Sequence, residues 1–434
     1  MQSFATSCSP IAASRRRACC ARIWPPSPTA GQRKRRSADH VPAAAPPSIP
    51  PGATLGILGG GQLGAMFAAA ARRMGYRVEA ISDVTDCPAA RHSDRLHVGS
   101  YDDGEFLARV ARSLDVVTFE FENVPAAAGR ALAAVVPVRP HPDVLFTTQD
   151  RAREKAFLVR HGFACAPHRV VRSRDDLHAA VRDLGLPAVL KTAAFGYDGK
   201  GQAKLAGPGD VDAAWDVLGA GPDGPRELVL EGWIDFACEI SVVAARGLDG
   251  RTATFEPSRN AHAHHILDVS SVPAGLPEPV LGAAVQTTEE ILAALGVVGV
   301  ACVEFFVTRD GRVLVNEIAP RTHNSGHLTI EACDTSQFEQ QVRAVCGLPL
   351  GSPRLLAPAA MANVLGDCWQ PAGSGVLREP DWAAALAVPG VRLHLYGKTE
   401  PRPGRKMGHL TALADTADEA IERVRLARRL ASRA

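Results

Sequence analysis

The 434-residue chain contains no run of about 18 consecutive apolar residues, so no segment reads as a transmembrane helix. Charge of one sign is not in excess: 48 Lys and Arg stand against 46 Asp and Glu, a net charge of +2. That balance makes no electrostatic case for nucleic acid. Ten cysteines occur without a C-x-x-C pair. Neither zinc nor a secreted disulfide framework is supported, and the thiols read as isolated groups in a reducing compartment. Glycine (39) and proline (32) show no collagen period. No G-K-[ST] opens a helix as a Walker A would, and no G-x-S-x-G marks a nucleophilic serine. What is there is ordinary globular composition, 46% hydrophobic and 22% charged, long enough for about two to three domains.

The charge balance hides an asymmetry. Residues 1–52 hold eight Lys and Arg against one acid, Asp39, which leaves the remainder at −5. The segment also carries nine prolines and no apolar periodicity, so it is expected to be disordered. Arg- and Ser-rich, acid-poor starts resemble organellar transit peptides. Pro25-Pro26, Pro46-Pro47 and Pro50-Pro51 suit an amphipathic targeting helix badly, so a dispensable extension and a cytoplasmic location are expected.

From Thr54 the pattern becomes regular. Leu55 to Leu58 reads as a buried strand, Gly59 to Gly64 as a turn, Ala65 to Met74 as a helix and Val78 to Ile81 as a second strand, a parallel βαβ unit. Asp115 to Phe119 is another strand and Val135 to Val138 a weaker one. Around residue 150 the texture changes. A helix is expected over Arg151 to His161, with strands at Ala188 to Lys191, Leu228 to Glu231 and Glu239 to Val243. Val300 to Val307 and Arg312 to Ile318 flank Arg309-Asp310-Gly311, a hairpin signal. A third region starts near Leu350, holds a strand at Val391 to Tyr396 and closes on a helix from Asp415 to Ala434.

Four constellations carry chemistry. Gly59-x-Gly61-x-x-Gly64, with Asp83 ending the second strand, matches the dinucleotide fingerprint. It is consistent with a nicotinamide cofactor, with another phosphate, or with a turn that only packs a helix. Lys191 ends a strand before Phe195-Gly196-Tyr197-Asp198-Gly199-Lys200-Gly201-Gln202, a glycine loop suited to closing over a triphosphate. A surface hairpin is the bland alternative. Glu304 and Glu317 sit on the two arms of the expected hairpin, with Asn316 beside the second. Two facing carboxylates and an amide suit Mg²⁺ bridging phosphates. Arg321, His323, Asn324 and His327 follow at once, a loop rich in anion-binding groups, and Arg402-Pro403-Gly404-Arg405-Lys406 is a second basic cluster. Cys302 and Cys333 read as core.

Taken in order, these residues resemble a family. Gly59–Gly64, Phe119-Glu120-Phe121-Glu122-Asn123-Val124, Gly196–Gln202, the run from Asn316-Glu317 through Pro320-Arg321-Thr322-His323-Asn324-Ser325-Gly326-His327, and Arg402–His409 look like the N5-carboxyaminoimidazole ribonucleotide synthases. These are the ATPase subunits of phosphoribosylaminoimidazole carboxylase, ATP-grasp ligases of purine biosynthesis. The resemblance runs from about Thr54 to Leu430. It implies an α/β chain of a Rossmann-like domain over 53–150, an ATP-grasp domain over 151–349 and a small C-terminal domain over 350–434.

The resemblance also implies a reaction. ATP phosphorylates bicarbonate to carboxyphosphate, and the carboxyl group passes to the exocyclic amine of 5-aminoimidazole ribonucleotide. Arg151 and Lys191 would meet the ATP phosphates under the Gly196–Gln202 loop. Glu231, Gly232, Trp233 and Ile234 would form the adenine hinge, Glu239 would hold the ribose, and His262 would lie in the nucleotide site. Glu304 and Glu317, with Asn316, would bind Mg²⁺ or Mn²⁺. Arg321, His323 and Asn324 would hold bicarbonate, Tyr197 and Asp198 the aminoimidazole, and Lys398 and Arg405 the ribonucleotide phosphate. Glu120 and Glu122 would face the pocket. A homodimer is implied, with no nucleic acid or membrane partner. His265 stands where many members have glycine. The competing readings are another ATP-grasp carboxylate–amine ligase, an NAD-dependent oxidoreductase and a non-catalytic nucleotide-binding protein.

Overall fold

The computed structural model describes residues 48–194, 201–221, 224–370 and 377–432. The expected extension over 1–47 and the last residues of the expected closing helix, 433–434, lie outside the described residues.

The first region is a parallel sheet of β1 (Thr54–Leu58), β2 (Arg77–Ser82), β3 (Arg95–Val98) and β4 (Val116–Phe119), in the order β3-β2-β1-β4. All five residues of β1 are buried, because a central parallel strand is covered on both faces. Helices α1 (Gln62–Arg73), α2 (Gly104–Ala111), α3 (Ala126–Ala133) and α4 (Pro142–Thr148) provide that cover. The strand expected at Val135 to Val138 is only a bridge, Val138 to Val117, since Pro137 has no N–H to extend the ladder.

The central region opens with α5 (Arg151–Arg160), capped by the Asp150 side chain. A second sheet contains β5 (His168–Val171), β6 (Ala188–Thr192), β7 (Gln202–Leu205) and, after the short pair β8 (Ala220–Gly221) and β9 (Gly224–Pro225), β10 (Leu228–Gly232). Helices α6 (Arg174–Leu184) and α7 (Asp210–Leu218) back it. The third sheet takes β11 (Phe236–Arg246), β12 (Thr252–Thr254), β13 (Ser258–Ala263), β14 (Ile266–Val272), β15 (Gly299–Thr308) and β16 (Val313–Ala319). The long helix α8 (Glu278–Leu295) covers its core face, and α9 (Thr329–Ala332) and α10 (Gln337–Val345) follow.

The C-terminal region adds β17 (Ala359–Leu365), β18 (Val391–Leu395) and β19 (Lys406–Leu413), with α11 (Trp382–Leu386) and α12 (Ala417–Ala431). It forms no sheet of its own. β17 pairs with β14, so one nine-stranded sheet runs β16-β15-β11-β13-β14-β17-β19-β18 with β12 beside β11.

Two further points depart from expectation. Residues 48–52, expected to belong to the extension, are built into the first region: the Ile49 N–H donates to Cys346 O at 2.8 Å, and Tyr76 Oη donates to Ile49 O at 2.7 Å. The core under β1 is completed by α10, whose Phe338, Val342 and Val345 pack with Phe67, Tyr76 and Val78. Among the described residues no helix is long and apolar enough to cross a membrane.

Candidate active site

The β15–β16 hairpin sets Glu304 directly opposite Glu317, although the register running from the Arg309-Asp310-Gly311 turn, Val307 to Val313 and Phe305 to Val315, would bring Asn316 there. The register then shifts, leaving Asn316 as the unpaired residue of a bulge. Facing carboxylates repel. Each is answered from its own side. His323 Nε2 lies 2.8 Å from Glu304 Oε1, and Arg151 Nη2 lies 3.7 Å from Glu317 Oε2, beyond hydrogen-bond reach. Burial alone raises Glu304, but His323 beside it holds it down to about 2. Burial likewise pushes His323 down, and the Cys302 sulfur and Glu304 more than offset it, carrying it up to about 10. His323 is oriented from behind. Its Nδ1 lies 2.9 Å from Ser325 Oγ, which accepts from Ser241 Oγ at 2.7 Å, and Asn260 Nδ2 donates to Ser241 Oγ at 2.9 Å.

The donor set fits a hard cation. Mg²⁺ takes one or two carboxylates and completes its shell with phosphate oxygens and water, which two glutamates and the Asn316 amide would allow.

On the nucleotide side, Arg151 begins α5 and donates its N–H to Ala193 O at 2.7 Å, beside the end of β6. Lys191 Nζ lies 2.7 Å from Glu231 Oε2, and Lys155 Nζ lies 3.7 Å from Oε1 of the same carboxylate. Burial raises Glu231, but the two lysines pull it to about 2. The Glu231 side chain is thus an internal counter-ion, consistent with an adenine hinge made by backbone alone. Gly232 and Trp233 N–H groups donate to Pro167 and Pro187 carbonyls. His262 Nδ1 lies 2.8 Å from Glu239 Oε2, which brings the expected ribose and nucleotide residues together. His265 sits with His264 at the β13–β14 turn, both at positive φ, so the departure from glycine falls at the hairpin tip rather than at His262. Of the glycine loop, Phe195, Gly196, Tyr197, Asp198, Gly199 and Lys200 lie outside the described residues. Gly201 has φ +70, and a Cβ there would meet Thr192 Oγ1 at 2.6 Å.

The glycine turn of the first region is filled from within. Glu120 accepts from Gly61 N–H at 2.5 Å and Gly64 N–H at 3.0 Å, where a pyrophosphate would sit on a dinucleotide-binding turn. Burial raises the Glu120 carboxyl; the Gly64 and Gly61 N–H groups, then Arg321 and Lys398, oppose it. The turn serves to seat an internal carboxylate.

Glu122 forms a two-pronged pair with Arg321, so the expected anion-binding guanidinium is held by a carboxylate of the first region. Asn324 exchanges side-chain hydrogen bonds with Asn363 at 2.7 and 3.1 Å, a partner the motif did not indicate. His327 leaves the anion loop. It is 1% exposed, packed tilted against Phe338 and His409 and edge-on to Tyr396, with its Nδ1 3.2 Å from Gln337 Nε2. It is a core residue, kept neutral by burial. Cys302 and Cys333 are buried, as expected.

Lys398 donates to Lys406 O at 2.8 Å and lies over the Tyr396 ring. Arg405 Nη1 donates to Glu400 O at 2.8 Å. Gly404, at φ +73, shapes the turn, and Gly366 N–H donates to Arg405 O at 2.9 Å.

Comparison with known proteins places the chain among relatives along most of its length. The family models for the ribonucleotide synthetase preATP-grasp domain, the ATP-grasp domain and the phosphoribosylaminoimidazole carboxylase C-terminal domain match residues 52–149, 156–338 and 359–423. The N5-carboxyaminoimidazole ribonucleotide synthase of Brucella melitensis is 44% identical over 368 residues, covering 84% of this chain and 98% of that protein. The N5-carboxyaminoimidazole synthetase of Staphylococcus aureus complexed with ADP superposes with a TM-score of 0.80 at 33% identity, covering 88% of this chain and 98% of that one. The Aspergillus clavatus N5-carboxyaminoimidazole synthase in complex with ADP and 5-aminoimidazole ribonucleotide gives a TM-score of 0.77 at 30% identity, covering 88% and 99%. With the site's elements in the expected order along nearly the whole length of these relatives, the chain belongs to the N5-carboxyaminoimidazole ribonucleotide synthase family.

Proposed function

We infer that this chain is the ATP-dependent ligase that carboxylates 5-aminoimidazole ribonucleotide with bicarbonate, releasing ADP and phosphate. The observation that carries the reading is the register of the β15–β16 hairpin. Glu304 and Glu317 face each other, with Arg151 on the Glu317 side and His323 on the Glu304 side. A phosphate-binding flank and an anion-binding flank thus meet at one carboxylate pair.

The residues divide the work as follows. Arg151 and Lys191 bind the ATP phosphates, and the Gly196–Gln202 loop covers them. The Glu231–Ile234 backbone holds the adenine, and Glu239 with His262 the ribose. Glu304, Glu317 and Asn316 would hold Mg²⁺, for which Mn²⁺ would substitute, and the cation would supply neutralisation of phosphate charge. Arg321, His323 and Asn324 hold bicarbonate and stabilise charge on its oxygens as the phosphoryl group arrives. Tyr197 and Asp198 address the aminoimidazole, and Lys398 and Arg405 grip the ribonucleotide phosphate. Exclusion of water protects carboxyphosphate until the amine attacks. A homodimer in the cytoplasm belongs to the same reading, on the family resemblance.

The test is ADP release. It should require 5-aminoimidazole ribonucleotide and bicarbonate together. Release driven equally well by another amine and carboxylate, or hydride transfer with NAD, would replace this reading.

A further inference from the structure

β16 ends its sheet: its only ladder among the described residues is with β15, and on its outer side Val315 makes an isolated bridge to Cys165, its N–H donating to Ala164 O at 2.8 Å. Past that bridge, over residues 316–319, the outer side of β16 has no strand beside it among the described residues. The bulge at Asn316 also breaks the inner ladder beside Glu317. A segment so placed has little to hold its register, yet Glu317 lies in it.

Helix α5 supplies what the ladder lacks. Glu154 Oε2 accepts from the Ile318 N–H at 3.0 Å, and Lys155 Nζ donates to Asn316 O at 2.8 Å. These are the backbone groups on either side of Glu317. Arg151, Glu154 and Lys155 are spaced i, i+3, i+4, so one face of one helical turn addresses residues 316–318. Glu154 and Lys155 are each 1% exposed. Burying two ionisable side chains is costly unless geometry and hydrogen bonds offset it, so an apolar helix face would cover this edge more cheaply. An apolar face, however, could bond neither backbone group. Lys155 reaches further, to Glu231, which holds Lys191.

We propose that Glu154 and Lys155 are positioning residues that clamp the β16 backbone on both sides of Glu317, so that Glu317 and Asn316 converge with Glu304 on one cation. The clamp also ties that cation site, through Glu231, to the phosphate-facing Lys191. This rests on the reading of Glu304 and Glu317 as cation ligands.

The test measures Mn²⁺ binding by the free-Mn²⁺ paramagnetic signal in the presence of ATP, together with hydrogen exchange at the Ile318 amide. Glu154→Asp keeps the carboxyl group and shortens the reach. Glu154→Gln keeps the length and an acceptor oxygen but cannot ionise. The Asp variant should weaken Mn²⁺ binding about tenfold or more and speed Ile318 exchange, while the Gln variant stays within about threefold of wild type. Lys155→Met should weaken Mn²⁺ binding as the Asp variant does. If that variant fails to fold, because Glu231 loses a buried partner, the Asp–Gln contrast still decides. Wild-type affinity and exchange in Glu154→Asp would overturn the clamp, as would a Gln variant as weak as the Asp variant. Glu317→Gln is the control: unchanged Mn²⁺ affinity there would overturn the cation site itself, whereas a large loss there with none in Glu154→Asp would overturn only the clamp.

Discussion

Glu122 and Arg321 lie 199 positions apart in the chain and form a two-pronged ion pair, with Arg321 Nη2 2.6 Å from Glu122 Oε1 and Nε bonded to Oε2. The pair fastens the segment after β4 to the loop after β16. It therefore joins the parallel sheet to the loop that carries Arg321, His323 and Asn324.

Burial raises Glu122, but Arg321 pulls it down to about 2, well below the ordinary 4.5. A depressed carboxyl stabilises the fold above its unfolded pKa and loses that contribution as pH falls toward the folded value. Glu122→Gln should therefore destabilise the protein by about 2 kcal/mol at pH 7, discounted for partial exposure. The gap in melting temperature between variant and wild type should narrow as the pH falls below about 5. A gap equally wide at pH 3 and pH 7 would mean that the ion pair contributes nothing.

A Cβ on Gly61 would stand 2.5 Å from Glu120 Oε1. Gly61→Ala should lower stability by about 1–3 kcal/mol by forcing the carboxylate off the helix terminus. In a Glu120→Ala background the same change should cost much less, because the clashing group is gone. Equal costs in the two backgrounds, by urea titration, would show that Glu120 does not set the turn.

Arg405 is presented by a turn that Gly404 shapes at φ +73, and its backbone is tied to Gly366. A charge-assisted contact to a phosphate contributes about 1.5–3 kcal/mol, roughly ten- to a hundredfold in affinity. Arg405→Ala should raise KM for the ribonucleotide by that factor and leave KM for ATP near wild type. The reverse pattern in steady-state kinetics would move Arg405 to the nucleotide side.

Truncation should distinguish residues 1–47 from residues 48–52. Removing 1–47 should leave ATPase activity and melting temperature nearly unchanged, as their composition suggests. Removing 1–52 also deletes Ile49, with its bonds to Cys346 and Tyr76. That should cost about 1–3 kcal/mol from one partly buried apolar side chain and two hydrogen bonds. Identical melting temperatures for the two truncations would show that Ile49 is not a structural staple.

Much of the local structure was legible in the sequence. The alternation of strand and helix patterns from Thr54 predicts the parallel sheet, and Arg309-Asp310-Gly311 predicts the hairpin that carries Glu304 and Glu317, though the bulge at Asn316 that sets them face to face has no signal in it. Turn chemistry and hydrophobic period act over a few residues, so they can be read without knowing what lies elsewhere. The order of motifs then indicated the family, because a set of short signals in sequence is far more specific than any one of them.

Non-local pairings were decided by the tertiary structure. Nothing in Gly59–Gly64 says that Glu120 fills the turn in place of a cofactor phosphate. Nothing in the motif around His327 says that this histidine packs against Phe338 while its neighbour His323 faces Glu304. The sheet continues through β14 and β17 although the sequence divides there into two textures. Glu154 and Lys155 read as an ordinary charged pair on a helix, yet both are buried against the edge of β16. A charged residue carries no periodic signal of burial. Whether it faces water or a backbone group is set by which surface arrives opposite it, and that depends on segments about 160 to 200 positions away in the chain.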